Sequence, residues 1–586
     1  MMKRKIITTL ITTITFAVTL ITSTQGVMAK TYLKERTGPI SYVNSSAVAT
    51  TTSLPAKYDP RTSNNILTPV RNQGGDGVCW SFSGIATLES YLKGNGIGDY
   101  DLSEEHAKWV SLADSNGYGW LRNGADDGGV SQVMPGYLIS GKGPKLESDI
   151  PYKFGKNDSE PTNLNTTQTA IDVSSIEYLP DNMTSVKSAI MTNYAVDSCY
   201  YRDGAYGNNY ETSYYCSTVS ATNHSIAIVG WDDNYPKTNF NSANQPVNNG
   251  AWLVKNSWGT NVGDNGFTWI SYEDKNLLTT NQGNVNYIIK EASKHNPNRY
   301  IYQLDPNGAT SYFQVIYTDT TTNKDFTPSD VSYYNVFDFT ADNDNLTNVI
   351  FEEDNIGTSY TVYYAPVIDG KPTTNLAKMK KLAAGTISYA GYNDVKLDNV
   401  TLPAGKGAIM VDLVDSSNKG ATSIGAEMDV TVNGDPNYKT EANPGESYVY
   451  VDNNMIDVND GTVFNDKANF SIKAVTTKLT STSTSTPATS TVVAGTSTAT
   501  STVVAGTSTV VAGTSTVTGT STVTGTSTVT GTQTATGTQT ATSTATSTNT
   551  TPGKTADTEN ILMVILIFAI AGGATFAVRI KSRKLS

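Results

Sequence analysis

Gln73-Gly74-Gly75-Asp76-Gly77-Val78-Cys79-Trp80-Ser81-Phe82 decides how this chain is read, because a glycine-rich turn runs there into a predicted helix with a cysteine at the junction. A thiol at that point meets unpaired backbone N–H groups and the positive end of the helix dipole, and both favour the thiolate. A sulfur nucleophile also needs a base, and the chain holds only three histidines, His106, His224 and His295. His224 opens Asn223-His224-Ser225-Ile226-Ala227-Ile228-Val229-Gly230-Trp231, where apolar alternation predicts a strand. Asn256 follows in Trp252-Leu253-Val254-Lys255-Asn256-Ser257-Trp258-Gly259. His106 sits in Leu102-Ser103-Glu104-Glu105-His106, a helix start with Ser103 as N-cap and two carboxylates on the dipole, and is read as structural. His295, in Lys294-His295-Asn296-Pro297-Asn298, reads as a surface residue between domains.

His224 lies 145 residues after Cys79 and Asn256 another 32 on, the first interval within papain-type spacing and the second somewhat beyond it. Leu54-Pro55-Ala56-Lys57-Tyr58-Asp59-Pro60-Arg61 resembles the mature N-terminus of that family, and Leu67-Thr68-Pro69-Val70-Arg71-Asn72-Gln73-Gly74 its approach to the nucleophile. Leu102 to His106 resembles the entry to its second helix, and Gly128-Gly129 with Glu147 to Tyr152 the stretch leading to its Tyr-Pro-Tyr segment. Taken in order, residues 54–290 resemble an α+β, two-lobed papain-like cysteine peptidase domain. The resemblance implies that Cys79 attacks a peptide carbonyl, that His224 takes the thiol proton to give a resting thiolate–imidazolium pair, and that Asn256 orients the ring. It also assigns Gln73 and the Cys79 N–H to the oxyanion hole, and makes Trp258 the shield over the His–Asn bond. Nothing upstream of Leu54 resembles an insertion closing one end of the cleft, so an endopeptidase acting on polypeptide substrates is expected.

Family members commonly carry a second cysteine just before the nucleophile, where this chain has Gly75-Asp76-Gly77-Val78. A secreted chain with three cysteines accommodates one free nucleophile and one pair, so a Cys199–Cys216 disulfide is expected. No His/Cys cluster has metal-ligand spacing, and neither a metal nor a cofactor is expected. Asp457-Val458-Asn459-Asp460-Gly461 misses the EF-hand pattern and reads as a turn.

Residues 1–29 carry a Lys3-Arg4-Lys5 n-region, an apolar stretch and small residues near Ala29, the pattern of a signal peptide. Residues 30–53 form a short pro or linker segment, much shorter than the inhibitory prosegment usual in papain relatives. Residues 299–475 show short β runs, among them Tyr360 to Ala365 and Gly407 to Asp412, separated by Gly/Asn/Asp/Pro turns, and predict an all-β sandwich. This stretch resembles the lectin-like domain behind prokaryotic surface papain-like peptidases, notably in Tyr302 to Gly308, Gly385 to Tyr392 and Phe470 to Ala474. The label implies cell-surface glycans as a second partner class, although no converging set of aromatics and amides marks a sugar site.

Residues 476–553 are Thr/Ser/Gly-rich and predict a disordered stalk, because such composition buries too little apolar surface to offset chain entropy. Within it, the 75 uncharged residues 479–553 span on the order of 50 Å as a flexible coil. Residues 561–578 form an 18-residue apolar run, about 27 Å as a helix, followed by the basic tail 579–586. It reads as a transmembrane helix with the tail cytoplasmic. Alternatively, with Thr551-Pro552-Gly553-Lys554-Thr555-Ala556-Asp557 before it, it reads as the apolar segment of a degenerate sortase sorting signal for the cell wall. Both place the enzyme at the cell surface. A net charge of −12 with no basic stripe excludes nucleic acid as a partner. The competing function class is a surface adhesin or glycan-binding protein whose peptidase domain is incidental or self-processing.

Overall fold

The computed structural model describes residues 30–35 and, apart from short internal stretches, 53–478. The expected signal peptide, the stalk from residue 479 on, the apolar run 561–578 and the basic tail lie outside the described residues, whereas 476–478, expected to open the stalk, end the strand Ile472–Lys478. Among the described residues no helix is long and apolar enough to cross a membrane.

The first part is built around one buried helix, α1 (Cys79–Gly94), whose residues are enclosed on nearly every side from Trp80 to Leu92. Two short helices pack on it, α2 (Glu104–Val110) and α3 (Val133–Ile139). Ser103 is the N-cap of α2 as its sequence requires: its hydroxyl accepts the His106 N–H at 3.0 Å. Facing the helices is an antiparallel sheet of β1 (Ile171–Leu179), β2 (Val196–Tyr200), β3 (His224–Asp232), β4 (Ala251–Lys255), β5 (Phe267–Ser271) and β6 (Asn286–Lys294).

The central strand β3 pairs with β2, aligning Tyr200 with His224 and Cys199 with Ser225, and on its other edge with β4. Side chains alternate across a strand. Ile226 and Ile228 therefore enter a core with Tyr200, Tyr214 and Cys216, while Ala227 and Val229 enter another with Leu253, Phe267 and Trp269. Both faces of β3 are buried, which explains the apolar run after His224.

The second part is all-β, with strands where the sequence placed them: Ser359–Ile368 contains the Tyr360 run and Gly405–Val414 the Gly407 run. One sheet joins these two with Asp330–Phe339 and Ser447–Val451. The other joins β7 (Asp344–Glu353) to β8 (Ala390–Thr401) and to Ile472–Lys478. Val331, Tyr333, Val349, Phe351, Ile409, Val411 and Ile472 meet in the core between the sheets.

The two parts share a sheet. Strand β1 of the first part pairs antiparallel with β8, setting Ile176 against Tyr392, Glu177 against Gly391 and Tyr178 against Ala390. Gly391 has φ +118°, and a Cβ there would fall 2.3 Å from the Ile176 carbonyl oxygen. A little away, Gly136 of α3 leaves no room either, since a Cβ would sit 1.9 Å from the Asn307 oxygen. Trp120, Tyr137 and Ile176 then bury against Tyr392, Tyr438 and Val475 in one apolar cluster drawn from both parts. His295 lies at this junction rather than free on the surface, with Nδ1 2.8 Å from an Asp172 oxygen that also pairs with Arg299. Residues Lys30–Glu35 form a strand that pairs with Ser311–Asp319 of the second part, so the described end of the pro or linker segment lies on the β domain.

Candidate active site

Cys79 occupies the first position of α1, after Val78, which caps the helix without a side-chain hydrogen bond. The residue keeps part of its surface exposed. Its thiol is turned toward Ser225, the neighbour of His224. Burial pushes the thiol up, while the Ser225 N–H and hydroxyl pull the other way.

His224 begins β3 and is buried, as is Asn256 just past the end of β4. The Nε2–H of His224 donates to Asn256 Oδ1 at 2.9 Å, which leaves Nδ1 as the proton acceptor. The Ser257 N–H also donates to Asn256 Oδ1, at 2.8 Å, fixing the amide. Trp258 stacks on the imidazole at 4.6 Å between ring centres and 22° between planes. The Arg202 guanidinium lies 5.2 Å from the Trp258 ring centre. Burial, and then the Arg202 charge, bring His224 down to about 4 against the pull of Asn256. Burial thus opposes the charged form of each group.

Gln73 is buried and held on three sides. Its backbone N–H donates to the Ser257 carbonyl at 2.8 Å, its Oε1 accepts from the Ser257 hydroxyl at 2.5 Å, and its Nε2 donates to the Asp76 carbonyl at 2.8 Å. The second Nε2 hydrogen is thereby given a fixed direction. Tyr152 completes this loop, its hydroxyl 2.8 Å from the Gln73 carbonyl and 3.1 Å from Asp76 Oδ2. Sequence reading passed over Ser225, Ser257 and Tyr152. Ser257 follows Asn256 directly, and Tyr152 ends the Glu147 to Tyr152 match, but a pattern match does not say what a hydroxyl touches.

The expected Cys199–Cys216 disulfide is corrected: all three cysteines are free thiols. Tyr200 points into the core that holds Tyr214 and Cys216, so Cys199, one residue earlier on β2, points to the opposite face. There its sulfur lies 3.2 Å from the Ser225 hydroxyl, on the α1 side, whereas the Cys216 sulfur lies 3.3 Å from the Thr218 carbonyl. Strand parity, invisible to a cysteine count, separates them. Among the described residues no three His, Cys, Asp or Glu side chains gather as metal ligands.

These features define a cysteine-protease site on a papain-like fold. The profile described as papain family cysteine protease matches residues 54–294, and that described as lectin like domain matches 301–476. Cysteine proteinase 2 of Entamoeba histolytica is 29% identical over 241 residues, covering 40% of this chain and 66% of the relative. Cathepsin J of Rattus norvegicus is 27% identical over 219 residues, covering 36% and 58%. The chain thus spans less than two thirds of the length of these curated relatives.

Among solved structures, the clostridial cysteine protease Cwp84 after propeptide cleavage is 41% identical with a TM-score of 0.65, covering 72% of this chain and 99% of that one. The cysteine protease and lectin-like domains of Cwp84, a surface layer associated protein of Clostridium difficile, are 39% identical with a TM-score of 0.65, covering 76% and 91%. The chain belongs to the papain family of cysteine proteases. Within it, the chain shares with Cwp84 the order of a peptidase followed by a lectin-like domain.

Proposed function

We propose that this protein is a cell-surface cysteine endopeptidase that hydrolyses peptide bonds in extracellular or surface proteins. The observation that carries the reading is the buried His224–Asn256 pair, roofed by Trp258, together with a cysteine at a helix N-terminus whose thiol meets Ser225, the residue after His224. Rotation of the Cys79 thiol from Ser225 toward His224 Nδ1 supplies each group with the opposite charge that burial otherwise disfavours. The sulfur then attacks the scissile carbonyl, and the oxyanion is received by the Cys79 N–H and Gln73 Nε2. His224 gives its proton to the leaving amine. Water, deprotonated by the same imidazole, cleaves the thioester and restores the thiol.

The surface assignment draws support from the leader-like residues 1–29, the apolar run 561–578 with its basic tail, and the similarity to a surface layer associated protein. In this reading the Thr-rich stretch sets reach, and the lectin-like domain offers cell-surface glycans a docking face. The test is digestion of an unfolded protein substrate by the purified chain. Internal cleavage that disappears in Cys79→Ala supports the endopeptidase. No cleavage by the parent, together with retention on a glycan array, supports the adhesin reading instead.

A further inference from the structure

Asp197 is a buried carboxyl group for which the chemistry above has no use. It lies on β2 with 2% of its surface exposed. Strand parity turns it to the α1 side together with Cys199. The Ser83 hydroxyl donates to Asp197 Oδ2 across 114 residues of chain. Ser83 is four residues, about one helical turn, beyond Cys79 on α1. The Tyr287 hydroxyl of β6 stands beside the same carboxyl, and Tyr287 is the register partner of Asp197. The close approach of helix and strand there requires Gly84, since a Cβ would fall 2.7 Å from Tyr287 Oη.

The titratable groups that face Asp197 are Cys79 from α1, Tyr287 from β6 and Cys199 from its own strand, while β3 sets Ala227 opposite it. Ser83 adds a neutral hydroxyl, and among these groups there is no cation. A carboxylate buried without a cation is costly, and the group remains neutral instead. Burial accordingly pushes Asp197 well above the usual carboxylate range, against the hydrogen bond from Ser83 and the nearby Tyr287 hydroxyl. Were Asp197 charged, it would raise the Cys79 thiol further.

We propose that Asp197 is a positioning residue for the nucleophile: an uncharged carboxylic acid beneath the first turn of α1 that ties Ser83 to β2 and keeps negative charge away from the Cys79 sulfur. The proposal rests on the reading of Cys79 as the nucleophile. Two measurements on the whole chain test it, the pH dependence of Cys79 alkylation by iodoacetamide and the split of kcat from KM on a peptide substrate. Asp197→Asn keeps the shape and removes the titration, so the alkylation inflection is expected to stay within about 0.3 pH units of the parent. Asp197→Ala and Ser83→Ala cut the tie and are expected to lower kcat by about tenfold at constant KM, with Asp197→Asn recovering most of that loss.

A downward shift of a full unit or more in Asp197→Asn shows that the parent carries the charge and overturns the proposal, as does an unaltered kcat in the two alanine variants. If neither Asp197 variant folds, Ser83→Ala decides alone by the same kcat criterion. A parent whose Cys79 does not alkylate at all counts against the protease reading and is read separately.

Discussion

Gln73 shows how one side chain is set for its role by others. Its side-chain oxygen is taken by Ser257 and one Nε2 hydrogen by the Asp76 carbonyl, and in the proposed mechanism the remaining hydrogen meets the developing oxyanion. Gln73→Ala is expected to lower kcat by about 10²–10³-fold, with a much smaller effect on thermal stability; steady-state kinetics and a melting curve measure both. His106 offers a contrasting case, since its burial serves the fold. Its Nδ1 lies 2.8 Å from the Tyr137 hydroxyl, and burial, then the Lys145 charge, bring it down to about 3. Between pH 6.5 and about 3 the unfolded chain binds a proton there that the folded one refuses, so stability falls as pH drops through that window. His106→Gln should therefore lose less stability than the parent between pH 6.5 and 4, by about 1.4 kcal/mol per pH unit, in urea titrations at each pH. Equal acid sensitivity in the two proteins would refute this.

The candidate site could be placed on its elements from sequence because the proposed chemistry restricts both residue type and setting. A cysteine after a glycine-rich turn falls at a helix start, and a histidine before Ile226 and Ile228 falls at a strand start; both appear in α1 and β3. What escaped the reading depends on pairing between distant strands. The face of Cys199 is set by the alignment of β2 with β3, which puts it opposite Ser225 and away from Cys216. The same parity turns Asp197 to the helix. Neither fact has a local signature, because strand parity with respect to α1 is settled by tertiary packing. Titration of the denatured, unreduced chain with a thiol reagent is accordingly expected to count three thiols; a count of one would restore the disulfide.

For the whole molecule, the departure from expectation is the junction. Composition and turn spacing divide the chain near residue 299, yet β1 and β8 form one ladder and a single apolar cluster spans both sides. Gly391→Val forces a side chain against the Ile176 carbonyl at positive φ and should destabilise the protein by about 1–3 kcal/mol. Denaturant unfolding followed in both parts is the check, and an unchanged midpoint would show that the shared ladder is not a stabilising feature.

In the proposed mechanism Cys79 alone, of three thiols, is activated by His224. This is tested most directly by treating the whole chain with a thiol-directed epoxide inhibitor and mapping the adducts by mass spectrometry. One adduct is expected, on Cys79, with a rate of formation that collapses in His224→Ala while Cys199 and Cys216 stay unmodified. An adduct on Cys199 or Cys216 in the folded protein, or a Cys79 rate indifferent to His224, would contradict it.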